Sequence, residues 1–300
     1  MEKAYEAIYN GILGTKDYPT PEAAHAGANA LLSTNKSGGV GYQIYTVPQG
    51  ETLIGADGRL NPNATLGYSD GTYYYRPDNW YDELFNSGNL RQEYNVNISG
   101  ATEKLNYYMS AGYLDDSGII AGSGFTRYTA RAKADYQAKK WLKVGANMSY
   151  TNYDMESPAS QDSYAGSSSA NLFYVANYIA PIYPMYARNA DQSVDSNGFT
   201  VYDFGDGTSG TGSFKRTWMS GSNPAAMVSL DKRQYLADVF SGRWYATINI
   251  WDGLKFTYNV GVDVDNTRYT RLYNAYYGQY SKVGGIVYAG ANRTMSINQQ

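Results

Sequence analysis

FTRYTARAKADYQAKKWLKVGANMSYTNYD, residues 125–154, sorts its side chains with a period of two. Tyr128, Ala130, Ala132, Ala134 and Tyr136 fall on one face, and Arg127, Thr129, Arg131, Lys133 and Asp135 on the other. A short break at 138–140 follows, and the phase resumes with Leu142, Val144, Ala146, Met148 and Tyr150 opposite Lys143, Asn147, Ser149 and Thr151. N-terminal to this stretch, Tyr94, Val96 and Ile98 oppose Asn95, Asn97 and Ser99, and Tyr107, Met109, Ala111 and Tyr113 share a face. Further along, Phe240, Trp244, Ala246, Ile248 and Ile250 oppose Arg243, Tyr245, Thr247 and Asn249. Leu254, Phe256, Tyr258, Val260, Val262 and Val264 then oppose Lys255, Thr257, Asn259, Asp263 and Asp265. The chain reads as all-β.

Length separates the all-β alternatives. Soluble strands average about 5–6 residues, whereas several of these segments run to about 11–13. At about 3.3 Å per residue and a tilt of about 45°, about 12 residues cover roughly 28 Å along a membrane normal, the thickness of the hydrocarbon layer. The links sort as well. Those at 100–105, 138–140 and 251–253 are short, the last with the turn pair Asp252-Gly253, and those at 114–124, 154–239 and 266–290 are long. Short and long alternate, so the short ones share one end, as periplasmic turns and external loops do in outer-membrane barrels. A soluble sandwich or solenoid would also hide one face, but it has no reason to sort its loops. The polar face suits a wet lumen.

Composition removes other classes. Twenty-four basic and 27 acidic residues give a net charge of −3, which argues against a nucleic-acid partner. With no cysteine, thiolate sites and disulfides are excluded, and the single His25 rules out multi-His metal sites and argues against a His-based triad. His25, between Ala24 and Ala26, reads as a solvated or packed residue. Tyrosine is abundant, at 33 residues beside 32 glycines, and suits places where one end of a side chain is dry and the other wet. Mean hydropathy is −0.52, and no stretch approaches the about 20 apolar residues of a membrane helix. The opening MEKAYEAIYNGILG has no signal-peptide pattern, so either the protein is cytosolic or Met1 is not its natural beginning, and the strand pattern favours the second.

The loops hold short helices and aromatic clusters. Helices are predicted over 1–13 and 21–33, the second started by Thr20, Pro21 and Glu22, and over 170–179. Turn-rich stretches lie at Lys36 to Gly39, Asp57-Gly58, 61–63 and Asp70-Gly71. Tyr73, Tyr74, Tyr75, Trp80 and Tyr81 cluster before the first long strand, and Trp218 lies in the loop 155–239. Aromatic rings beside amides and carboxylates suit sugar rings, so Tyr74, Trp80, Asp206 and Trp218 are the candidate ligand-binding residues. The competing reading is that these rings only pack the loops. Neither Asp115-Asp116 nor Asp263-x-Asp265 has the calcium-loop pattern, and neither Gly205-Asp-Gly207 nor Gly122-x-Gly124 stands at a strand-to-helix junction. No catalytic constellation is present, so no enzyme activity, metal or cofactor is expected.

GRLNPNATLG (58–67), WYDELF (80–85), RQEYNVNISG (91–100), NYYMSAGYLDDSGII (106–120), FTRYTAR (125–131) and WLKVGAN (141–147) resemble the SusC/RagA-type TonB-dependent outer-membrane transporters. The resemblance covers most of the chain, is sharpest over 50–154, and returns at Asn223-Pro224 and over 240–265. It implies a segment of a transmembrane barrel of about 22 strands around an N-terminal plug. On that reading 1–92 is an extracellular loop region with short helices, its preceding strands mostly missing. Residues 93–300 form the barrel segment, with strands near 93–100, 106–114, 125–137, 141–154, 240–250, 254–266 and 291–300. Arg127, Arg131, Lys133, Asp135, Arg243 and Asp263 would face the lumen; Val96, Ile98, Tyr128, Val144, Trp244, Ile248, Val260 and Val262 would face lipid.

The resemblance also implies a setting: the Gram-negative outer membrane, with lipid and lipopolysaccharide outside. It implies a SusD-like surface lipoprotein as lid, energy from the TonB–ExbB–ExbD complex, and a glycan or oligosaccharide substrate, or in some members a peptide. The chain departs from the family pattern in lacking a signal peptide, a TonB box, a plug and an aromatic-ended last strand, and it stops at Gln300 inside a strand. These residues alone are therefore expected neither to insert stably nor to transport. The alternative function is a surface glycan-binding or adhesion barrel without transport.

Overall fold

The computed structural model describes residues 1–34, 39–158, 172–196, 199–207, 213–221, 223–276 and 280–300. The chain divides into two compact units: Met1–Leu84 with Ser160–Met227 and Tyr277–Gln279, and Phe85–Ala159 with Val228–Tyr276 and Tyr280–Gln300.

The second unit is a seven-stranded antiparallel sheet whose strands lie in chain order. They are β1 (Arg91–Ala101), β2 (Leu105–Ser117), β3 (Gly124–Lys139), β4 (Leu142–Ser157), β5 (Lys232–Trp251), β6 (Leu254–Tyr273) and β7 (Ile286–Gln299). The links 102–104, 140–141 and 252–253 join strands at one end, and 118–123, 158–231 and 274–285 at the other. Gly253 closes its turn at φ 93°, a conformation glycine adopts without a Cβ penalty. Thr102 Oγ1 accepts from the Lys104 and Leu105 amides and fixes the first turn.

The register carries one phase across all seven strands. Ile98 pairs with Met109, Met109 with Ala132, Ala132 with Met148, Met148 with Gly242, Gly242 with Val262, and Val262 with Ile297. Directly paired residues point to the same side, so the alternation seen strand by strand becomes one continuous apolar face. It is open to the surroundings: Val96 is 72% exposed, and Ile98, Met109, Phe256, Met295 and Ile297 are all more than half exposed. A rung of Tyr128, Asn152, Asp238, Asn266 and Arg293 bounds that face on the long-link side. There the Tyr150 hydroxyl donates to Asp238 Oδ1 at 2.6 Å.

Beyond that rung the strands continue. The strand read from sequence as 240–250 spans Lys232–Trp251, and that read as 254–266 spans Leu254–Tyr273. In Lys232-Arg-Gln-Tyr and Asn266-Thr-Arg-Tyr-Thr-Arg both faces are polar, so hydrophobic alternation stops while backbone pairing goes on. β7 likewise starts at Ile286, five residues before the position read from sequence.

Glycine and aromatic residues face each other across the ladder. Tyr107 pairs with Gly100, Tyr245 with Gly145 and Tyr269 with Gly290. In each pair the ring lies where a Cβ on the glycine would be.

The first unit is built on its own core. Helix α1 (Glu2–Ile12) repeats apolar residues at Tyr5, Ile8, Tyr9 and Ile12 and packs with helix α2 (Pro21–Leu32) over Tyr5, Ile8, Ala28, Leu32 and Ile54. The start of α2 is as predicted: Pro21 opens it, and Thr20 Oγ1 accepts from the Ala23 amide at 3.2 Å. His25, of this helix, meets the Tyr5 hydroxyl through Nδ1 at 2.6 Å. Two shorter helices, α3 (Trp80–Leu84) and α4 (Leu172–Tyr178), bring distant stretches of chain into the same unit. The first residues of the helix predicted over 170–179 and the turn at Lys36 lie outside the described residues.

Candidate functional site

The sheet's polar face gathers every residue that sequence assigns to the lumen. Arg127, Arg131, Lys133, Asp135, Arg243 and Asp263 share the phase opposite the apolar face. Arg243 reaches diagonally to Asp263 with Nη2 to Oδ2 at 2.7 Å and Nη1 to Oδ1 at 3.0 Å, while Ser241 donates to the same carboxylate at 2.6 Å. Asp135 accepts from the Tyr245 hydroxyl at 2.6 Å, and its Oδ2 lies 3.8 Å from Lys133 Nζ. Arg131 stands between Ser110 and Ser149 on the neighbouring strands. Val96, Ile98, Tyr128, Val144, Trp244, Ile248, Val260 and Val262 all lie on the opposite, apolar side. The face carries charged side chains and hydrogen bonds on several neighbouring strands.

The loop unit places the four aromatic and acidic candidates differently. Trp80 is 4% exposed and donates its indole N–H to the Tyr183 carbonyl at 3.1 Å. Both the ring and its polar handle are therefore used in packing, and the structure gives Trp80 no open face for a sugar. Trp218 is 53% exposed. Tyr74 is half-buried on a strand paired with Arg188, its hydroxyl against Gly67, and Asp206 is half-buried in a backbone bridge with Lys215.

A polar core that sequence reasoning missed holds this unit. Asp203 is buried and accepts the Tyr42 hydroxyl at 2.8 Å and the Gly205 amide at 2.6 Å. Burial pushes its carboxyl up to about 6, against the pull of the Arg216 guanidinium 3.8 Å away. Burial likewise raises the Tyr42 hydroxyl far above its ordinary value, with the Asp203 charge adding to the effect. Arg216 is fully buried, donates to the Asp203 and Pro184 carbonyls, and lies over the Trp80 and Tyr183 rings at 5.5 and 5.6 Å. Gly205, at φ 63°, leaves room for the Arg216 side chain to cross. Nearby in sequence, Arg188 binds Asp78 through both guanidinium nitrogens, at 2.5 and 3.0 Å. An open cleft of about 750 Å³ lies beside α1 and α2, lined by Glu2, Glu6, Tyr9, Glu22, His25 and Arg59. Among the described residues, no group of three or more His, Cys, Asp or Glu is arranged to hold a metal ion.

No family model matches the chain. It is similar to the TonB-dependent receptor P3 of Formosa agariphila, 26% identical over 238 residues, which are 77% of this chain and 21% of that protein. It is also similar to the TonB-dependent receptor SusC of Bacteroides thetaiotaomicron, 30% identical over 146 residues, 48% of this chain and 13% of SusC. The RagAB peptide importer in its closed-closed state shares the fold at TM-score 0.59 and 18% identity, over 99% of this chain and 29% of that one. The chain thus matches between 13% and 21% of the length of these curated relatives. The resemblance to SusC/RagA-type receptors stands, and so does the fold class, a partial antiparallel β-barrel wall.

Proposed function

We propose that this chain, whose relatives are TonB-dependent receptors of the SusC and RagA kind, forms part of the wall and outer loops of an outer-membrane importer. The observation that carries the reading is the single apolar, exposed face running through seven strands, backed by a charged face of the opposite phase. In water such a face would aggregate; in lipid it is the solvated side. Arg127, Arg131, Lys133, Asp135, Arg243 and Asp263 then line the substrate path, and the loop unit presents Tyr74, Asp206 and Trp218 to incoming solute. Residues 1–92 act as an extracellular loop region and 93–300 as barrel wall with a long external loop.

The substrate class that suits exposed aromatic rings beside carboxylates and amides is the oligosaccharide; a relative's name also points to peptides. A SusD-like lipoprotein would close over the loops, and the TonB complex would supply energy through parts of the protein outside this segment. The residues perform no covalent chemistry: they bind, orient and release.

The test is uptake by cells expressing the full-length protein, with labelled oligosaccharides and oligopeptides offered in parallel. Accumulation that disappears when TonB is deleted supports import. Surface binding that survives TonB deletion, with no accumulation of any substrate, replaces the importer by an adhesion or glycan-binding barrel.

A further inference from the structure

Two arginines stand directly opposite each other near the long-link ends of β5 and β6: Arg233 pairs with Arg271 in the ladder, and the next same-face pair is Tyr235 with Tyr269. Like charges in directly opposed positions repel, and among the described residues neither guanidinium has a carboxylate within 4.0 Å. Both instead converge on one phenol oxygen. Arg271 Nη2 donates to Tyr235 Oη at 3.0 Å, and Arg233 donates to the same atom from Nη2 at 3.2 Å and Nε at 3.4 Å. Each guanidinium also lies over a ring, Arg233 over Tyr235 at 5.6 Å and Arg271 over Tyr269 at 5.8 Å.

The donors outnumber the acceptors. Arg271 Nε is buried and has no hydrogen-bond partner. Tyr235 Oη accepts from both arginines, and no acceptor for its own proton is found among the described residues. Neighbouring strands add no negative charge to this face: Ser157 and Met155 flank Arg233 and Tyr235 from β4, and Tyr288 and Gly290 flank Arg271 and Tyr269 from β7. The nearest carboxylate of the same phase on β6 is Asp265, which accepts from Thr267. Two cations held together without a counter-charge, with a free phenol proton between them, are a receptor for an oxyanion.

We propose that Arg233, Tyr235 and Arg271 bind a carboxylate or sulfate group carried by the substrate. By phase the cluster lies on the side of Arg243 and Asp263, away from the apolar face, which favours solute over lipid phosphate. The inference rests on the importer reading and narrows its substrate to acidic oligomers.

The experiment measures binding to the full-length protein in detergent by calorimetry. The probes are an oligogalacturonide, a sulfated oligosaccharide and a neutral malto-oligosaccharide of equal length, and an acidic peptide. Wild type should prefer one or more of the three anionic probes over the neutral one, and the probe bound tells carboxylate from sulfate and sugar from peptide. Charged hydrogen bonds of about 1.5–3 kcal/mol correspond to losses of roughly tenfold or more for Arg233→Gln and Arg271→Gln. The loss should come with a weaker salt dependence, a smaller loss in Tyr235→Phe, and partial rescue in Arg271→Lys. Equal affinity of wild type for neutral and acidic probes, or unchanged binding in the Arg233→Gln/Arg271→Gln double variant, overturns the site. Loss of co-purified lipopolysaccharide phosphate in the double variant, with saccharide binding intact, also overturns it and assigns the cluster to lipid. TonB-dependent uptake that persists in the double variant separates failure of this site from failure of the importer reading.

Discussion

Replacing Val260 by arginine tests the membrane reading at its centre. On β6 the apolar phase runs from Leu254 to Val264 and ends at Asn266. Ten steps at about 3.3 Å give about 33 Å along the strand, and a tilt of about 40° leaves about 25 Å along the normal, the height of the apolar band of an outer-membrane barrel. Val260 is six steps from Leu254, which puts it roughly 15 Å into that band and close to the midplane. An arginine there costs about 2–4 kcal/mol, whereas one at the band's edge costs about 0–1. The paired controls are Leu254→Arg at the edge and Asn259→Arg, one residue away on the polar face. Unfolding of the full-length protein from lipid bilayers by guanidinium should therefore rank Val260→Arg far below both controls, by roughly 30- to 1000-fold in the folding equilibrium. Equal penalties at 259 and 260 would mean that both faces meet the same medium, and the assignment of the apolar face to lipid would fall.

Three further outcomes follow from the loop unit, each read on the full-length protein. Trp80→Ala should destabilise this unit by about 3–5 kcal/mol, seen as faster proteolysis of its loops, while Trp218→Ala should stay within about 0.5; equal sensitivity would contradict their opposite burial. Arg188→Met takes the cation away from the Asp78 carboxylate, which keeps only the Met185 and Tyr186 amides, and should cost about 3–5 kcal/mol; proteolytic stability equal to wild type would show that the ion pair does not hold the unit. Asp203, raised by burial to about 6, favours its protonated form in the folded unit. Its contribution is thus complete below about pH 4 and lost as pH rises through 6, by roughly 3 kcal/mol. Proteolytic stability relative to Asp203→Asn should decline across that window, and a constant difference would refute the shift.

Much of the sheet was legible because one apolar face runs through every strand from Tyr94 to Val264 and imposes a period of two on the sequence. What escaped was whatever that face does not reach. Lys232 to Ala237 and Thr267 to Tyr273 pair as regularly as the rest, yet show no hydrophobic alternation, because polar side chains stand on both faces there. The Arg233–Tyr235 and Tyr269–Arg271 steps did carry a trace, charge and aromatic ring recurring at a spacing of two. In the loop unit, composition identified aromatic residues but not their burial: Trp80 and Trp218 are chemically alike, and distant partners, Tyr183 and Arg216, make one of them core. The Asp203 network joins residues up to 161 positions apart, which no local pattern announces.

The glycine–aromatic pairs have a consequence for assembly. Sliding one strand past its neighbour by two residues keeps every apolar side chain on the apolar side, so alternation tolerates a family of staggered sheets. Such a slip carries the Tyr245 ring off Gly145, Tyr269 off Gly290 and Tyr107 off Gly100, and sets each against a residue with a Cβ. These pairs act as detents: parity chooses the side of the wall, and the notches choose its stagger.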